Sequence, residues 1–374
     1  MKKVLCILAA AVLSAAPAIA AQRASWLRHS AISPDGKTIA FAYQGDIFTV
    51  SSDGGNATQI TTNDAYDCEP VWTPDGKSIV FASYREDSKD IYITPAGGGA
   101  PARVTRFSGN ETVMGVLPGG RILFSANIQQ PAGYDGFPGG AQIYSINPDG
   151  TFLKLETAIQ MGGISVSKDG IWLYEDNKGY EDPLRKHHTS SVTRDIWMIR
   201  DGEYTKMSAF GGEDRNPVFT ADGRSYYFLS EQSGTLNIWK GSIDTPLQAE
   251  QVTCFDTHPV RYISVAEDGT LAFSFNGELY VMKAGAQPQK LDIYVNIDPS
   301  EREMTRRSVS IGTTDFAVAP GGKEVALFSH GEVFITTTEF RETRRITDTP
   351  ERERGVSFSD DGRTIYYASD RGGR

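Results

Sequence analysis

Cysteine is scarce in this sequence, which limits how the fold can be held together. Of the 374 residues only three are cysteines, and Cys6 lies in an apolar N-terminal run, so Cys68 and Cys254 remain for the body of the protein. Secreted domains that depend on disulfides use many more in a shorter chain. The sequence therefore excludes a disulfide scaffold and requires a hydrophobic core.

Signature motifs of catalysis and metal binding are also absent. The sequence has no Gly-x-Ser-x-Gly nucleophile elbow, no His-Glu-x-x-His and no Cys-x-x-Cys, so neither an α/β-hydrolase nucleophile nor a common zinc site is encoded. Glycines are plentiful but lie between strands rather than ahead of a helix, which argues against a phosphate-binding loop. We expect no catalytic residues, no metal site and no cofactor.

Long apolar runs are missing except at the N-terminus. There, Lys2 and Lys3 precede an apolar stretch over 4–16, and Ala18 and Ala20 lie at the positions that a signal peptidase recognises. The stretch is shorter than the roughly 20 residues of a membrane span. We interpret residues 1–21 as a signal peptide cleaved near Ala20, which predicts a periplasmic or secreted protein without a membrane span.

Positive charge is in deficit. The chain has 37 Lys and Arg residues against 47 Asp and Glu residues, a formal net charge of −10. An acidic surface repels nucleic acid and anionic membranes. We therefore expect no nucleic-acid partner, and peptides or proteins remain as the partners to consider.

What the sequence does contain is one phrase that recurs eight times. Two copies are almost identical, Ser-Pro-Asp-Gly-Lys-Thr-Ile-Ala-Phe at Ser33–Phe41 and Thr-Pro-Asp-Gly-Lys-Ser-Ile-Val-Phe at Thr73–Phe81. The copies follow one another at roughly 40 to 53 residues, a period typical of propeller blades or solenoids. Asp-Gly between two apolar runs predicts a β-hairpin, with positive φ at both central residues of the turn.

Each hairpin is followed by sequence for two more strands. A third strand reads Asp-Ile-Tyr-Ile-Thr at Asp90–Thr94 and Asp-Ile-Trp-Met-Ile at Asp195–Ile199, and a fourth often ends in an apolar residue and a threonine, as at Ile60-Thr61. Four short antiparallel strands per repeat are the unit of a propeller blade. We predict an all-β propeller, with a β-sandwich as the alternative.

The repeats divide into two groups. Six lie before residue 298, the charged and proline-containing segment 298–308 is typical of a linker, and the pattern resumes at 309. We therefore predict a six-bladed β-propeller of four-stranded blades over 22–297, followed by the start of a second propeller over 309–374. The last repeat lacks its third and fourth strands, and because proteins avoid such an open edge, we expect a truncated piece of a longer chain.

A six-bladed ring would also separate the two cysteines. Cys68 would precede the first strand of blade 2 and Cys254 that of blade 6, two blades apart around the ring. A disulfide tolerates a Cα separation of only about 7 Å. We therefore expect no bond between them, even in an oxidising compartment.

The repeat resembles the propeller repeats of the TolB, prolyl-oligopeptidase and Tricorn protease families, and the order of parts favours Tricorn. The passage Asp315–Phe328, with Gly331–Phe334 after it, is similar to the opening of that family's second propeller, and Tyr180–Trp197 is similar to an insertion in its fourth blade. The resemblance covers the whole chain after the signal peptide. It implies a six-bladed and then a seven-bladed propeller, with a C-terminal serine peptidase region that these residues do not include.

Three functions stay open. The first is a non-catalytic propeller region of a periplasmic Tricorn-like serine peptidase, which gates or guides peptides to or from the peptidase domains of the same protein. Because Tricorn relatives assemble into rings, the resemblance allows a homo-oligomer. The second is a stand-alone TolB-like periplasmic protein-binding propeller, and the third is the propeller cap of a prolyl-oligopeptidase-type enzyme. A second ring counts against the third, because that cap is followed by an α/β-hydrolase domain.

A basic cluster stands out in this acidic chain: Arg185, Lys186, His187 and His188, in the longest loop of the predicted ring, about 175–194. Long loops in a compact repeat are often functional. In Tricorn relatives a basic pair holds the C-terminal carboxylate of the substrate peptide, and by resemblance Arg185 and Lys186 are that pair, with the two histidines beside them. The alternative is a solvated basic loop that packs on an acidic neighbour. The adjacent histidines point to opposite sides of an extended chain, so they are poorly placed to share a metal.

Overall fold

The computed structural model describes residues 22–86, 88–128, 140–179, 189–296, 313–339, 343–349 and 351–372. Within these ranges the chain is built of β-strands and turns, with one 3-10 turn at Asp370–Gly372. It divides into two units, Met1–Asn296 and Ile297–Arg374. The prediction of an all-β fold is confirmed, whereas the predicted signal peptide and linker lie outside the described residues.

The first unit contains six four-stranded antiparallel sheets, each made from one continuous segment. The chain enters through a short strand, β1 (Gln22–Arg23). Blade 1 consists of β2 (Arg28–Ile32), β3 (Thr38–Tyr43), β4 (Asp46–Ser51) and, after the two-residue β5 (Gly55–Asn56), β6 (Thr58–Gln59). Blade 2 consists of β7 (Asp67–Trp72), β8 (Ser78–Ser83), β9 (Asp90–Pro95) and β10 (Ala102–Arg103). Blade 3 consists of β11 (Thr112–Val116), β12 (Ile122–Ala126), β13 (Gln142–Ile146) and β14 (Lys154–Thr157).

The second half of this unit repeats the pattern. Blade 4 consists of β15 (Met161–Val166), β16 (Trp172–Asp176), β17 (Ile196–Arg200) and β18 (Glu203–Lys206). Blade 5 consists of β19 (Asp214–Phe219), β20 (Ser225–Ser230), β21 (Asn237–Ser242) and β22 (Ala249–Gln251). Blade 6 consists of β23 (Val260–Val265), β24 (Leu271–Phe275), β25 (Glu278–Met282) and β26 (Gln289–Lys290), and β27 (Ile293–Val295) follows it.

The ring closes by packing blade 1 on blade 6, without the exchange of a blade strand. The Ser30 hydroxyl donates to the Tyr262 carbonyl at 2.9 Å, and the Ile32 amide donates to the Ser264 hydroxyl at 3.0 Å. In addition, β27 pairs antiparallel with β1 and parallel with β5. The last strand of the unit thereby ties its first strand to blade 1.

The repeated Asp-Gly phrase forms a turn that uses its own polar side chains. In blade 1 the Ser33 hydroxyl donates to Asp35 Oδ1 at 2.6 Å, and blade 2 repeats the contact between Thr73 and Asp75 at 2.7 Å. The carboxylate also accepts the backbone amide two residues further on, at 3.1 Å in both blades. Gly36 has a φ of 73° but Asp35 is not left-handed. The prediction of two positive φ values is therefore wrong, because the aspartate side chain closes a wider turn.

The apolar-threonine pair follows the fourth strand and completes the hydrogen bonding of the third. The Ile47 amide donates to Thr61 Oγ1 at 2.9 Å, and the Ile238 amide donates to Thr253 Oγ1 at 2.9 Å. In blade 5 the same hydroxyl donates onward to Asn237 Oδ1 at 3.0 Å. The fourth strand no longer pairs with the third strand at this position. The threonine hydroxyl therefore accepts the hydrogen bond that a backbone carbonyl would otherwise accept.

Neighbouring blades are joined at a repeated position. The amide at the start of a first strand donates to a carbonyl in the loop between the second and third strands of the preceding blade, at 2.8 to 3.0 Å. We call this contact the interblade hydrogen bond. It joins the amides of Leu27, Asp67, Glu111, Asp214 and Val260 to the carbonyls of Gly277, Gly45, Lys89, Arg194 and Leu236, respectively. The phenylalanine that ends the repeat phrase is buried between blades: Phe41, Phe81, Phe124, Phe228 and Phe273.

The second unit has one four-stranded sheet and one two-stranded sheet. The strands are β28 (Thr313–Val318), β29 (Glu324–Ser329), β30 (Glu332–Thr337), β31 (Thr343–Arg345), β32 (Glu353–Phe358) and β33 (Ile365–Ser369). Here the sequence repeat extends to side-chain chemistry. Arg371 Nη2 contacts Glu353 Oε1 at 3.0 Å, as Arg85 Nη2 contacts Asp67 Oδ2 at 2.7 Å in blade 2.

The two cysteines differ in their surroundings. Cys68 is buried and Cys254 is exposed, and both thiols are free. Cys68 lies within β7 rather than before it, which corrects its predicted position. Burial raises the pKa of the Cys68 thiol to about 12, so it is unreactive at neutral pH.

Removing the hydroxyl of the apolar-threonine pair should destabilise the first unit. We expect Thr253→Val to lower the free energy of unfolding by about 1–3 kcal/mol, because the buried Ile238 amide loses its acceptor and Asn237 Oδ1 loses one of its two donors. Urea denaturation measures the change. The same substitution at the exposed Thr257 is the control and should cost much less. Equal stability of the two variants would contradict this role for the hydroxyl.

Candidate functional site

The two ends of the ring carry different connections. Antiparallel strands place the Asp-Gly turns, such as Asp35-Gly36, at one end of the blades, which we call the turn face. The opposite end, the loop face, carries the links between blades and the loops between second and third strands. The 177–195 connection of blade 4 belongs to this loop face. Long loops that are held on a rigid scaffold are typical binding elements.

The predicted substrate-binding residues Arg185, Lys186, His187 and His188 lie outside the described residues. What the structure describes are the two ends of their loop, 177–179 and 189–195. These ends show where the loop leaves and rejoins the ring, between β16 and β17. The role predicted for the four residues stays a prediction.

The two ends of the loop are held together by charge. Lys178 Nζ donates to Asp195 Oδ2 at 2.6 Å and to the Thr193 carbonyl at 2.7 Å. Asp176 accepts the Asp195 amide at 2.8 Å and the Trp197 indole N–H at 3.0 Å. Burial lowers the pKa of Lys178, but the hydrogen bond to Asp195 and the charge of Asp176 outweigh it and leave the pKa raised. The lysine is therefore a permanent cation at the base of the loop.

A second charge network joins blades 4 and 5 just inside this base. Arg194 Nη1 contacts Glu175 Oε1 at 3.2 Å, and its amide donates to Glu213 Oε2 at 3.0 Å. Glu213 Oε1 accepts Arg215 Nε at 2.8 Å, while Glu175 Oε2 accepts the Asn216 amide at 2.8 Å. Charges alternate through the cluster, and each buried carboxylate has a donor, as a water-poor site requires. The network holds Arg194, at the C-terminal end of the loop, against blades 4 and 5.

The first strands contain left-handed residues at a repeated position, which sequence reasoning missed. Each first strand of the ring has a register shift, and in four blades the residue there has a φ of 48 to 56°. These four residues are His29, Glu69, Asn216 and Tyr262. Such strain costs on the order of 1–3 kcal/mol per residue and is concentrated at functional sites.

Blade 4 has glycines where blades 1, 2, 5 and 6 have this strained residue. A Cβ on Gly162 would lie 2.1 Å from Glu175 Oε1, and one on Gly163 would lie 3.0 Å from the Asn216 Cα. The glycine pair therefore lets the Glu175 carboxylate lie directly against the first strand. The adjacent glycines Gly162 and Gly163 in the sequence could have located this position.

Blades 2 and 3 share a smaller charged junction. Lys89 Nζ donates to Glu69 Oε1 at 2.9 Å and to the Thr112 hydroxyl at 3.0 Å. The other Glu69 oxygen accepts the Val113 amide at 3.3 Å. The left-handed Glu69 thereby links its own blade to the next one.

Two fully buried carboxyls at the blade junctions lack an arginine partner among the described residues, in contrast to Asp67. Burial raises the pKa of Asp214 to about 7, nearby acidic charge adds to the rise, and the neighbouring hydroxyls of Ser230 and Ser208 oppose it. Burial likewise raises the pKa of Glu111 to about 7, opposed by its hydrogen bond from Thr105. These groups are protonated in part at neutral pH. They make the junctions sensitive to pH.

The described parts of the chain offer neither a group of three or more His, Cys, Asp or Glu side chains suited to a metal ion nor a helix long and apolar enough to cross a membrane. What they present on the loop face is a rigid arrangement of charges and strained backbone. Such an arrangement can bind and orient a ligand.

Comparisons with known proteins agree with this architecture. Residues 24–288 match the family model described as Tricorn protease N-terminal beta propeller domain. A curated relative from Streptomyces coelicolor, a putative tricorn protease homolog 2, is 25% identical over 340 residues, which cover 88% of this chain and 28% of the relative. The Tol-Pal system protein TolB of Desulfosudis oleivorans is 30% identical over 122 residues, 31% of this chain and 25% of that protein.

A solved structure shows the same fold. The crystal structure of the tricorn protease superposes with a TM-score of 0.64 at 18% identity, covering 92% of this chain and 41% of that chain. The chain thus spans less than half the length of these proteins.

The buried Asp214 yields a test of the blade 4–5 junction. Because its pKa is about 7 in the fold against an ordinary 3.8, its contribution to stability is present below pH 4 and is lost as the pH rises to about 7. We expect Asp214→Asn to reduce the pH slope of the unfolding free energy in this window by up to about 1.4 kcal/mol per pH unit. Urea denaturation from pH 4 to 8 measures it, with the exposed Asp201→Asn as control. An unchanged slope in Asp214→Asn would refute the assignment.

Proposed function

The chain belongs to the family of Tricorn protease N-terminal β-propeller domains, and on this premise we propose that it is the non-catalytic, peptide-guiding propeller region of a periplasmic Tricorn-like serine peptidase. Its curated relative is named a protease homolog and extends well beyond the matched part. The peptidase activity of the whole protein belongs to this proposal, since the chain itself carries no nucleophile elbow.

The observation that carries the proposal is the charged base of the blade 4 loop. The cation of Lys178 and the cluster around Glu175 and Arg194 fix both ends of that loop on the loop face. A loop held in this way can present its basic residues to a passing peptide without a large loss of entropy. The arrangement suits guiding and holding a chain rather than cutting it.

Within this function we propose that Arg185 and Lys186, with His187 and His188, bind the C-terminal carboxylate of the peptide. Arginine can hold both oxygens of a carboxylate through its planar guanidinium, and lysine adds a compact charge. The histidines would add positive charge as the pH falls toward about 6.5. An acidic surface around the loop would make this basic cluster a focus for anionic chain ends.

Location in the periplasm is also part of the proposal. It rests on the sequence over 1–21, where Lys2, Lys3 and a short apolar stretch precede small residues. A fusion of residues 1–24 to a reporter that is active only outside the cytoplasm tests it. Reporter activity that depends on Lys2, Lys3 and the apolar stretch is expected, and its absence would place the protein inside the cell.

A second candidate is a stand-alone propeller that binds a protein partner. The match to a Tol-Pal system protein TolB, over 122 residues, favours it. The two candidates differ in what the complete gene encodes. A peptidase region downstream supports the first, and a stop directly after the second unit supports the other.

The carboxylate anchor predicts a preference for free acids over amides. In the product of the complete gene, Arg185→Ala with Lys186→Ala should raise KM for peptides with a free C-terminus about tenfold or more, because a charged hydrogen bond is worth about 1.5–3 kcal/mol. The same peptides with C-terminal amides should be cleaved equally by wild type and variant. The chain over 22–374 alone should hydrolyse neither.

A matched control uses charges at the other face. Lys37 and Arg200 are exposed on the turn face, so replacing both with alanine changes the net charge equally without touching the loop. That variant should keep the preference for free acids. If wild type and the Arg185/Lys186 variant treat acid and amide alike, the loop is a solvated surface and the anchor is refuted.

A further inference from the structure

Arginines occupy one repeated position on three consecutive blades. The residue that directly follows the interblade hydrogen bond donor is an arginine in blades 5, 6 and 1: Arg215, Arg261 and Arg28. In blades 2 and 3 the same position holds Cys68 and Thr112. Blades 5, 6 and 1 are neighbours because the ring closes between blades 6 and 1. The sequence alone does not show that the Arg28 and Arg261 positions are neighbours, because the two residues lie at opposite ends of the first unit.

These arginines differ in whether their charge is neutralised. Arg215 is buried and paired with Glu213. Neither Arg28 nor Arg261 forms an ion pair within the described part of the chain, and Arg28 is exposed while Arg261 is half-buried. Burial raises the pKa of Tyr66, and the nearby positive charge of Arg28 opposes this rise. Among the described residues, two guanidinium groups on adjacent blades thus lack a carboxylate partner, although the chain has a net charge of −10.

Exposed aromatic side chains lie on the same loop face. Trp26 is 71% exposed, and Tyr66 and Tyr84 are each 45% exposed. Trp26 packs over Gly277 of blade 6, where a Cβ would come within 3.2 Å of the Trp26 amide nitrogen. Tyr66 and Tyr84 face each other edge to face at 6.4 Å. The rings are thus fixed by the blades and still open to solvent.

A strained pair joins the two arginine positions. His29 and Tyr262, the residues after Arg28 and Arg261, pack edge to face with ring centroids 4.6 Å apart across the closure of the ring. Both are left-handed, with φ of 51° and 55°. Burial lowers the pKa of His29, so at neutral pH it adds little charge and the arginines dominate. The ring contact thus joins the residues that follow the two arginines.

We propose that Trp26, Arg28, Tyr66, Tyr84 and Arg261, together the aromatic-arginine surface, bind an extended peptide segment in which a carboxylate side chain neighbours an aromatic or aliphatic one. The proposal rests on the proposed function and adds a substrate class to it. Guanidinium groups recognise carboxylates through paired hydrogen bonds. Tyrosine, tryptophan and arginine are also the residues that contribute most at binding surfaces.

The test measures binding to the full mature chain. A fluorescein-labelled, C-terminally amidated peptide of alternating Glu and Leu is titrated by fluorescence anisotropy, beside the same peptide with Gln for Glu and a single-stranded oligonucleotide. The Glu peptide should bind at least about tenfold more tightly than the Gln peptide. Arg28→Gln with Arg261→Gln should remove this difference, and Arg28→Lys with Arg261→Lys should restore part of it.

The control again changes charge at the turn face. Lys37→Gln with Arg200→Gln should bind the Glu peptide as wild type does. Thermal unfolding of each variant shows whether it is folded, and the lysine variant is the second probe if the glutamine variant is not. Equal binding of Glu and Gln peptides, with no effect of the arginine variants, would overturn the inference and leave peptide guiding intact. Absence of binding to any peptide would overturn both, and tighter binding of the oligonucleotide would overturn the choice of ligand.

Discussion

The interblade hydrogen bond is the contact on which the rest of the first unit depends. It joins the first amide of a first strand to the loop of the preceding blade, as from Leu27 to Gly277 and from Asp214 to Arg194. A four-stranded sheet alone leaves its polar edge groups and its faces uncovered. Repetition of this contact, with phenylalanines such as Phe81 buried between blades, turns separate sheets into a closed ring. It also gives blades 1, 2, 3, 5 and 6 the same starting point at the loop face.

The surface that each blade presents on the loop face depends on the side chains next to the interblade hydrogen bond. Between blades 4 and 5 the donor is Asp214, and the charges around Glu175 and Arg194 hold the base of the long loop. Between blades 6 and 1 the donor is Leu27, and Arg28 and Trp26 beside it are exposed. One backbone geometry thereby supports two different surfaces, because the interblade bond constrains the main chain and leaves the neighbouring side chains free to vary.

The sequence predicts well what is local. The hairpins, the blade count and the restart at the second unit follow from short patterns, because an Asp-Gly turn and an alternating strand are decided by neighbours in the chain. The turn geometry was missed, because the Asp35 carboxylate accepts hydrogen bonds from the Ser33 hydroxyl and the Lys37 amide. In a tight two-residue turn the backbone alone makes the hydrogen bonds. The left-handed Asn216 and the proximity of Arg28 to the Arg261 blade were also missed. The left-handed Asn216 lies at a register shift within blade 5. The proximity of Arg28 to the Arg261 blade arises from the closing of the ring, which joins residues far apart in sequence.

The central claim is that peptides meet this propeller at its loop face. A photo-crosslinking acidic peptide, bound to the full chain, irradiated and mapped by mass spectrometry, tests it most directly. The account predicts crosslinks to Trp26, Tyr66 and Tyr84, which an excess of unlabelled peptide removes. Crosslinks confined to the turn face, such as the ≈ 720 Å³ groove beside Phe152 and Lys168, would contradict it.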